Sequence, residues 1–128
     1  MRLLLDTHTL LWLAHEPRKL SARAVAAIYD SDNEVLVSAV SAMEIATKVR
    51  NGKLEYRTSL ATDFMAEIES QGFEPLAITV GHAQRAGNLQ GSHRDPWDRL
   101  LVAQAQVEDI SLVSSDARLA DWPVELLW

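Results

Sequence analysis

Apolar positions along this chain fall in short unbroken runs rather than in strict alternation with polar ones. Five runs stand out: Leu3–Leu5, Val35–Val37, Leu76–Ile78, Leu112–Val113 and Val124–Leu127. Runs of this length suit parallel strands covered on both faces. The stretches between them are long enough for helices. Thr7–His15 reads as a helix stopped near Pro17, and Ser21 as the N-cap of a second one through about Asp30. A third spans Ala39–Arg50, with Ala39, Ala42, Met43 and Ala46 on one face, closed by Asn51–Gly52 as a C-cap. Ser59–Ser70, Val80 to about Gly87, Pro96–Glu108 and Ser115–Ala120 complete the set. Strands alternating with helices predict a three-layer α/β domain, a central parallel β-sheet flanked by helices and joined by right-handed crossovers. Residues 1–128 read as a single domain without repeat or linker, and "GNLQGSHR" is the most flexible-looking segment.

Composition narrows the picture. A chain of 128 residues, 48% hydrophobic and 23% charged, is an ordinary globular sequence. Without cysteine it has neither disulfides nor thiolate metal sites. "MRLLLD" is too short for a signal peptide, and no run approaches the ~18 apolar residues of a membrane span. The expectation is a soluble cytoplasmic protein with no membrane role. Net charge is −6, which argues against a general nucleic-acid binder, since such proteins rely on surplus Lys and Arg. The exception is negative charge gathered at one site, where a bound cation reverses the local sign.

Open α/β sheets bind ligands beyond the carboxyl ends of their strands. The first run is followed there by Asp6 and Thr7, the second by Ser38 and a helix carrying Glu44, the fourth by Ser114, Ser115 and Asp116. The helix feeding the fourth strand begins with Asp95 and Asp98. Each residue has a local explanation. Asp6 or Thr7, Asp95 before Pro96, and Ser115 are good N-caps. Glu44 precedes Lys48 by four residues, the favourable order for an ion pair. Asp98 stands where a capping-box acid would, and Asp116 in a favourable first turn.

Asp98 nevertheless lines up with Leu101, Val102 and Ala105, a face on which a charge is costly unless compensated. Capping residues also need not converge, whereas parallel topology gathers strand ends. Carboxylates held close repel, and either protonation or a divalent cation relieves them. Mg²⁺ and Mn²⁺ take oxygen ligands and retain waters. Such a site suits phosphodiester hydrolysis, because the metal orients phosphate and supplies a hydroxide nucleophile.

The segments "LLLDTHTLLW", "VSAVSAMEIATKVRNGKL", "HRDPWDRLLVAQA" and "LVSSDARL" are ordered and spaced as in one family. The chain resembles PIN-domain nucleases, specifically the VapC-type toxin ribonucleases of toxin–antitoxin pairs, over nearly its full length. One departure is Trp97, where the familiar form has Phe. The resemblance implies an acidic Mg²⁺ (or Mn²⁺) pocket built by Asp6, Glu44, Asp98 and Asp116. It implies supporting roles for Thr7, Asp95 and Ser115, endonucleolytic cleavage of RNA, inhibition by a small antitoxin protein, and a homodimer.

Other residues are open to two readings. His8, His15, His82 and His93 are scattered, with no pair at ligand spacing, and His8 is near enough to Asp6 to support it. Arg94 and Arg99 flank the acids and either screen them or touch phosphate. Lys48, Arg50, Lys53 and Arg57 form an RNA-backbone clamp or complement a helix C-terminus. Trp12, Trp97, Trp122 and Trp128 stack on bases or pack in the core or an interface. The alternative to an enzyme is a catalytically silent PIN-like module that binds RNA or protein. An aspartyl-nucleophile phosphatase would want Asp-x-Asp after the first strand, where this chain has Asp6–Thr7–His8. A receiver domain is weaker still, because its phosphoacceptor and acidic pair do not map here.

Overall fold

The computed structural model describes residues 1–128. Five strands, β1 (Arg2–Leu5), β2 (Glu34–Ser38), β3 (Glu74–Leu76), β4 (Ser111–Val113) and β5 (Leu126–Leu127), form one parallel sheet in the order β3-β2-β1-β4-β5. Six helices flank it: α1 (Thr7–His15), α2 (Ala22–Tyr29), α3 (Ala39–Arg50), α4 (Phe64–Ser70), α5 (Val80–Asn88) and α6 (Pro96–Glu108). The three-layer α/β architecture expected from the apolar runs is the one observed.

Successive strand residues point to opposite faces, and each face of the sheet has its own core. Leu3, Leu5, Val35, Val37 and Val113 pack with Leu10, Leu11, Ile45, Ile68 and Phe73. Leu4, Leu36 and Leu112 pack with Leu101, Val102, Ala105, Leu119 and Trp122 on the other side. Both faces of the central strands are buried, which is why they read as continuous apolar runs.

The structure departs from the sequence reading in several places. The span Ser59–Ser70 is not one helix: a 3-10 turn at Ser59–Ala61 is capped by Thr58, and α4 begins only at Phe64. Asp63, at φ −123°, ψ 41°, breaks the helical path between them. The third run shifts, because β3 ends at Leu76 and Ile78 is exposed. The final helix is a 3-10 run, Ala117–Asp121, capped by Asp116 rather than Ser115. On α3 the face holding Ala39, Met43 and Ala46 is exposed, and the buried side carries Val40, Ser41, Glu44 and Ile45. Polar residues thus occupy the inner side of α3, which misleads a reading based on hydrophobic spacing alone. "GNLQGSHR" is pinned by side-chain hydrogen bonds to its carbonyls.

Leu101 is buried directly behind the first turn of α6, whereas Leu100 is only partly covered. Leu101→Ala is expected to cost about 2–5 kcal/mol, and Leu100→Ala markedly less. Equilibrium urea unfolding of both variants measures the difference.

Candidate active site

Register brings the site together. Leu5 lies opposite Val37 on one side and Val113 on the other. The next residue of each chain segment, Asp6, Ser38 and Ser114, therefore reaches the same rim. Asp6 caps α1, its Oδ1 accepting from the Thr9 amide at 2.7 Å. The Asp6 amide and the Thr9 hydroxyl both donate to the Val113 carbonyl, at 3.1 and 3.0 Å, which ties the start of α1 to the end of β4. Ser38 caps α3 through the Val40 amide and donates its hydroxyl to Gln104 Oε1 of α6 at 2.5 Å. A second bridge, Thr7 Oγ1 to Ser41 Oγ at 2.9 Å, locks α1 against α3. Between these bridges Asp6 and Glu44 are buried, 7% and 6% exposed.

The second half of the rim comes from α6 and the loop after β4. Asp95 caps α6, accepting from the amides of Trp97 and Asp98. Pro96 occupies the first helical position, where no amide hydrogen is needed. Asp98 makes no capping box; its Oδ2 accepts from His93 Nε2 at 2.8 Å. Asp116 caps the last 3-10 run, and its own amide donates to Ser114 Oγ. Arg118 grips Asp116 with Nε on Oδ1 at 3.0 Å and Nη2 on Oδ2 at 2.8 Å.

Each of the four acids thus has an internal partner: the Thr9 amide for Asp6, Lys48 for Glu44 at 2.8 Å, His93 for Asp98, and Arg118 for Asp116. Their electrostatics differ. The bidentate hydrogen bonding from Arg118 holds the Asp116 carboxyl below its usual range. Burial pushes Asp98 upward; the His93 hydrogen bond opposes this, and the charges of Asp95 and Asp116 reinforce it. Burial thus disfavours the ionised form of Asp98, as expected of a carboxylate continuing an apolar stripe.

The other sequence candidates divide. Thr7 supports the rim through Ser41 rather than by facing it with a free hydroxyl. Ser115 is exposed, and Ser114 braces the Asp116 turn instead. Arg99 is not a free phosphate ligand. Its guanidinium donates to the carbonyls of His93, Ala86, Leu89 and Gly91. Lys48 is engaged by Glu44, while Arg50, Lys53 and Arg57 are exposed. Arg94 is exposed too. His8 lies exposed against Trp12, His15 pairs with Thr58, and His82 closes a capping box with Thr79 at the start of α5. Trp12 and Trp128 meet edge to face, Trp122 is buried, and Trp97 packs partly covered against the second core.

Ser41, Arg118 and the pairing of His93 with Asp98 escaped the sequence reading, which placed Ser114 at the rim but gave the supporting role to Ser115. Ser41 had a readable signal, lying one helical turn before Glu44 on the same face. Arg118, two residues after an N-cap acid, had a weaker one.

The donor set is chemically right for a hard cation: four carboxylates and hydroxyls, with no sulfur. No three acidic or histidine side chains converge closely enough to cage an ion by themselves. Mg²⁺ does not require such a cage, because it is commonly held by one or two carboxylates, several waters and substrate phosphate. The rim fits that open kind of site.

Because the folded chain holds the Asp98 proton more tightly than the unfolded chain does, this carboxyl favours folding at low pH. Its contribution is present below the ordinary value of 3.8 and lost as pH rises through the folded-state value. In EDTA, Asp98→Asn is therefore expected to gain thermal stability relative to wild type as pH rises from 3.8 through the folded-state value. Parallel dependence of melting temperature on pH in the two proteins would contradict the assignment of Asp98 as a half-buried carboxylate that resists ionisation.

Comparison with known proteins agrees with this fold. The family model described as "PIN domain" matches residues 3–124. Ribonuclease VapC22 of Mycobacterium tuberculosis is 33% identical over 119 residues, covering 91% of this chain and 88% of that protein. Among solved structures, VapBC2 from Rickettsia felis bound to a DNA fragment from their promoter superposes with a TM-score of 0.71 at 16% identity, covering 98% of this chain and 97% of that one. VapBC-1 from nontypeable Haemophilus influenzae gives 0.70 at 13% identity, covering 98% and 96%. A family model matched from residue 3 to residue 124, together with a relative 33% identical over 91% of the chain, makes this protein a member of the PIN-domain family.

Proposed function

We propose that this chain is a divalent-metal-dependent endoribonuclease, a VapC-like toxin that cleaves RNA phosphodiester bonds and is silenced by a small antitoxin protein. The observation carrying the proposal is the 33% identity to a ribonuclease over 91% of the chain, supported by two buried acids, Asp6 and Glu44, and by Asp98 and Asp116, whose charges reach each other. The wider reading is a single catalytic unit spanning residues 1–128, cytoplasmic and homodimeric. No helix is long and apolar enough to cross a membrane.

Asp6, Glu44 and Asp98 are the residues that would hold Mg²⁺ or Mn²⁺, with Asp116 assisting. The bound cation would supply Lewis acidity and a water of lowered pKa. The remaining chemistry belongs to the chain. The Thr7–Ser41 bond ties the start of α1, capped by Asp6, to α3, which carries Glu44, and Asp95 fixes the start of α6 from which Asp98 projects. Lys48 and Arg118, already in the site as partners of Glu44 and Asp116, are cations placed to meet a phosphate when those carboxylates turn to the metal. Arg50, Lys53 and Arg57, exposed on and beyond the end of α3, extend a basic track away from Glu44. An antitoxin that inserts a basic side chain would compete for the same acids.

The test uses purified chain and a mixed RNA pool, with Mg²⁺, Mn²⁺ or EDTA, followed by mapping of the new ends. Cleavage is expected only with metal. Asp6→Asn, Glu44→Gln and Asp98→Asn should each lower it by about 100-fold or more. Cleavage unaffected by EDTA would remove the metal from the reading. Replacing Lys53 and Arg57 with Ala should weaken RNA binding and flatten its salt dependence, by about 0.7 in slope for each phosphate no longer neutralised. An unchanged slope would place the track outside the interface.

A further inference from the structure

The loop joining α5 to α6 is assembled around two side chains. Arg99 spends its guanidinium on four backbone carbonyls: Nε on His93 at 2.8 Å, Nη1 on Ala86 at 3.0 Å and Leu89 at 2.8 Å, and Nη2 on Gly91 at 3.2 Å. Trp122 Nε1 donates to a fifth carbonyl, that of Gln90, at 2.5 Å. The two clamps support each other, since the Arg99 guanidinium lies 5.5 Å from the Trp122 ring centre. Gly91 at φ +107° takes a backbone conformation that side-chain-bearing residues rarely adopt, and this lets the loop fold inward over Trp122.

So many donors on a short surface loop need a reason. What the loop delivers is His93. Its ring is tilted against Trp122 at 5.3 Å between centres, and Nε2 sits 2.8 Å from Asp98 Oδ2. The bond occupies one oxygen of Asp98 and leaves Oδ1 for another partner. Nε2 carries a proton in the imidazolium and in one neutral tautomer, so the donor role does not depend on the charge of the ring. Carboxylates that bind metals are commonly oriented by such hydrogen bonds, and losing one costs about 10–100-fold in metal affinity or activity.

We propose that His93 is a positioning residue: held by the Arg99–Trp122 clamp, it fixes the rotamer of Asp98 through Oδ2 so that Oδ1 faces the cation site. This rests on the reading of Asp98 as an acid of the metal site. Arg99 then acts at one remove, as the organiser of the loop rather than as a contact for RNA.

The test compares wild type with Asp98→Asn, His93→Leu, His93→Asn and His93→Gln. Mn²⁺ binding by titration calorimetry is read beside the Mn²⁺ concentration giving half-maximal RNA cleavage, with far-UV circular dichroism as the check on folding. His93→Leu should weaken Mn²⁺ binding by about 10–100-fold and raise the half-maximal Mn²⁺ concentration in parallel. RNA binding in EDTA should stay within about twofold, because RNA affinity rests on basic contacts to phosphate. The glutamine amide nitrogen can reach the place of Nε2, so His93→Gln should recover most of the affinity. The shorter asparagine should not. This Gln–Asn contrast decides the matter even if the leucine variant fails to fold. Wild-type Mn²⁺ affinity in a folded His93→Leu or His93→Asn protein overturns the proposal. If wild type itself binds no Mn²⁺, or Asp98→Asn binds it as wild type does, the metal-site reading falls and this inference with it. If Asp98→Asn loses affinity while the His93 variants keep it, the inference alone falls.

Discussion

Like charges meet at the start of α6, where Asp98 feels both Asp95 and Asp116, and the surrounding structure is arranged to answer that repulsion. The sheet leaves little choice about proximity: with Leu5 in register with both Val37 and Val113, whatever follows these residues must share a rim. The chain answers locally, acid by acid. A helix-start amide takes Asp6, a lysine one turn along takes Glu44, an arginine fork takes Asp116 and a histidine takes Asp98. The hydroxyl bridges Thr7–Ser41 and Ser38–Gln104 then tie the elements bearing those acids into one unit. Burying these polar groups is tolerable because each bridge satisfies both of its members.

Two of these balances depart from the ordinary, in opposite directions. Asp116, gripped at both oxygens by an exposed arginine, is comfortable as an anion. Asp98, half enclosed by the Leu101–Val102 side of α6, meets one imidazole and two neighbouring acids. Of these two, Asp98 is the carboxylate whose ionised form a nearby positive charge relieves more. The same reasoning connects core packing to chemistry. Leu101 and Val102 anchor the helix on the sheet, and that anchoring keeps Asp98 from escaping to water.

Much of this was legible in the sequence, for identifiable reasons. The strands were visible because both faces of the sheet are covered, leaving unbroken Leu and Val runs. The α6 start was visible because Asp95–Pro96 is a cap with a mechanism, and Asp98 stood out against it as an acid on an apolar face. What remained hidden depends on contacts distant in sequence or on backbone detail. Nothing local to Arg99 reveals that its partners are carbonyls as far back as Ala86. Ser114 and Ser115 are equivalent as letters, and only the path of the turn decides which one braces Asp116. On α3, small hydrophobics lie outside while Ser41 and Glu44 lie inside, so a helix that lines a polar site inverts the usual pattern.

The edges of the sheet carry a further consequence. The outermost strands are β3, three residues long with Pro75 at its centre, and β5, only two residues long. Proline offers no amide hydrogen to a neighbouring strand, and so short a strand offers too small a template for one. Neither border invites another chain to extend the sheet. Both borders thereby disfavour edge-to-edge association.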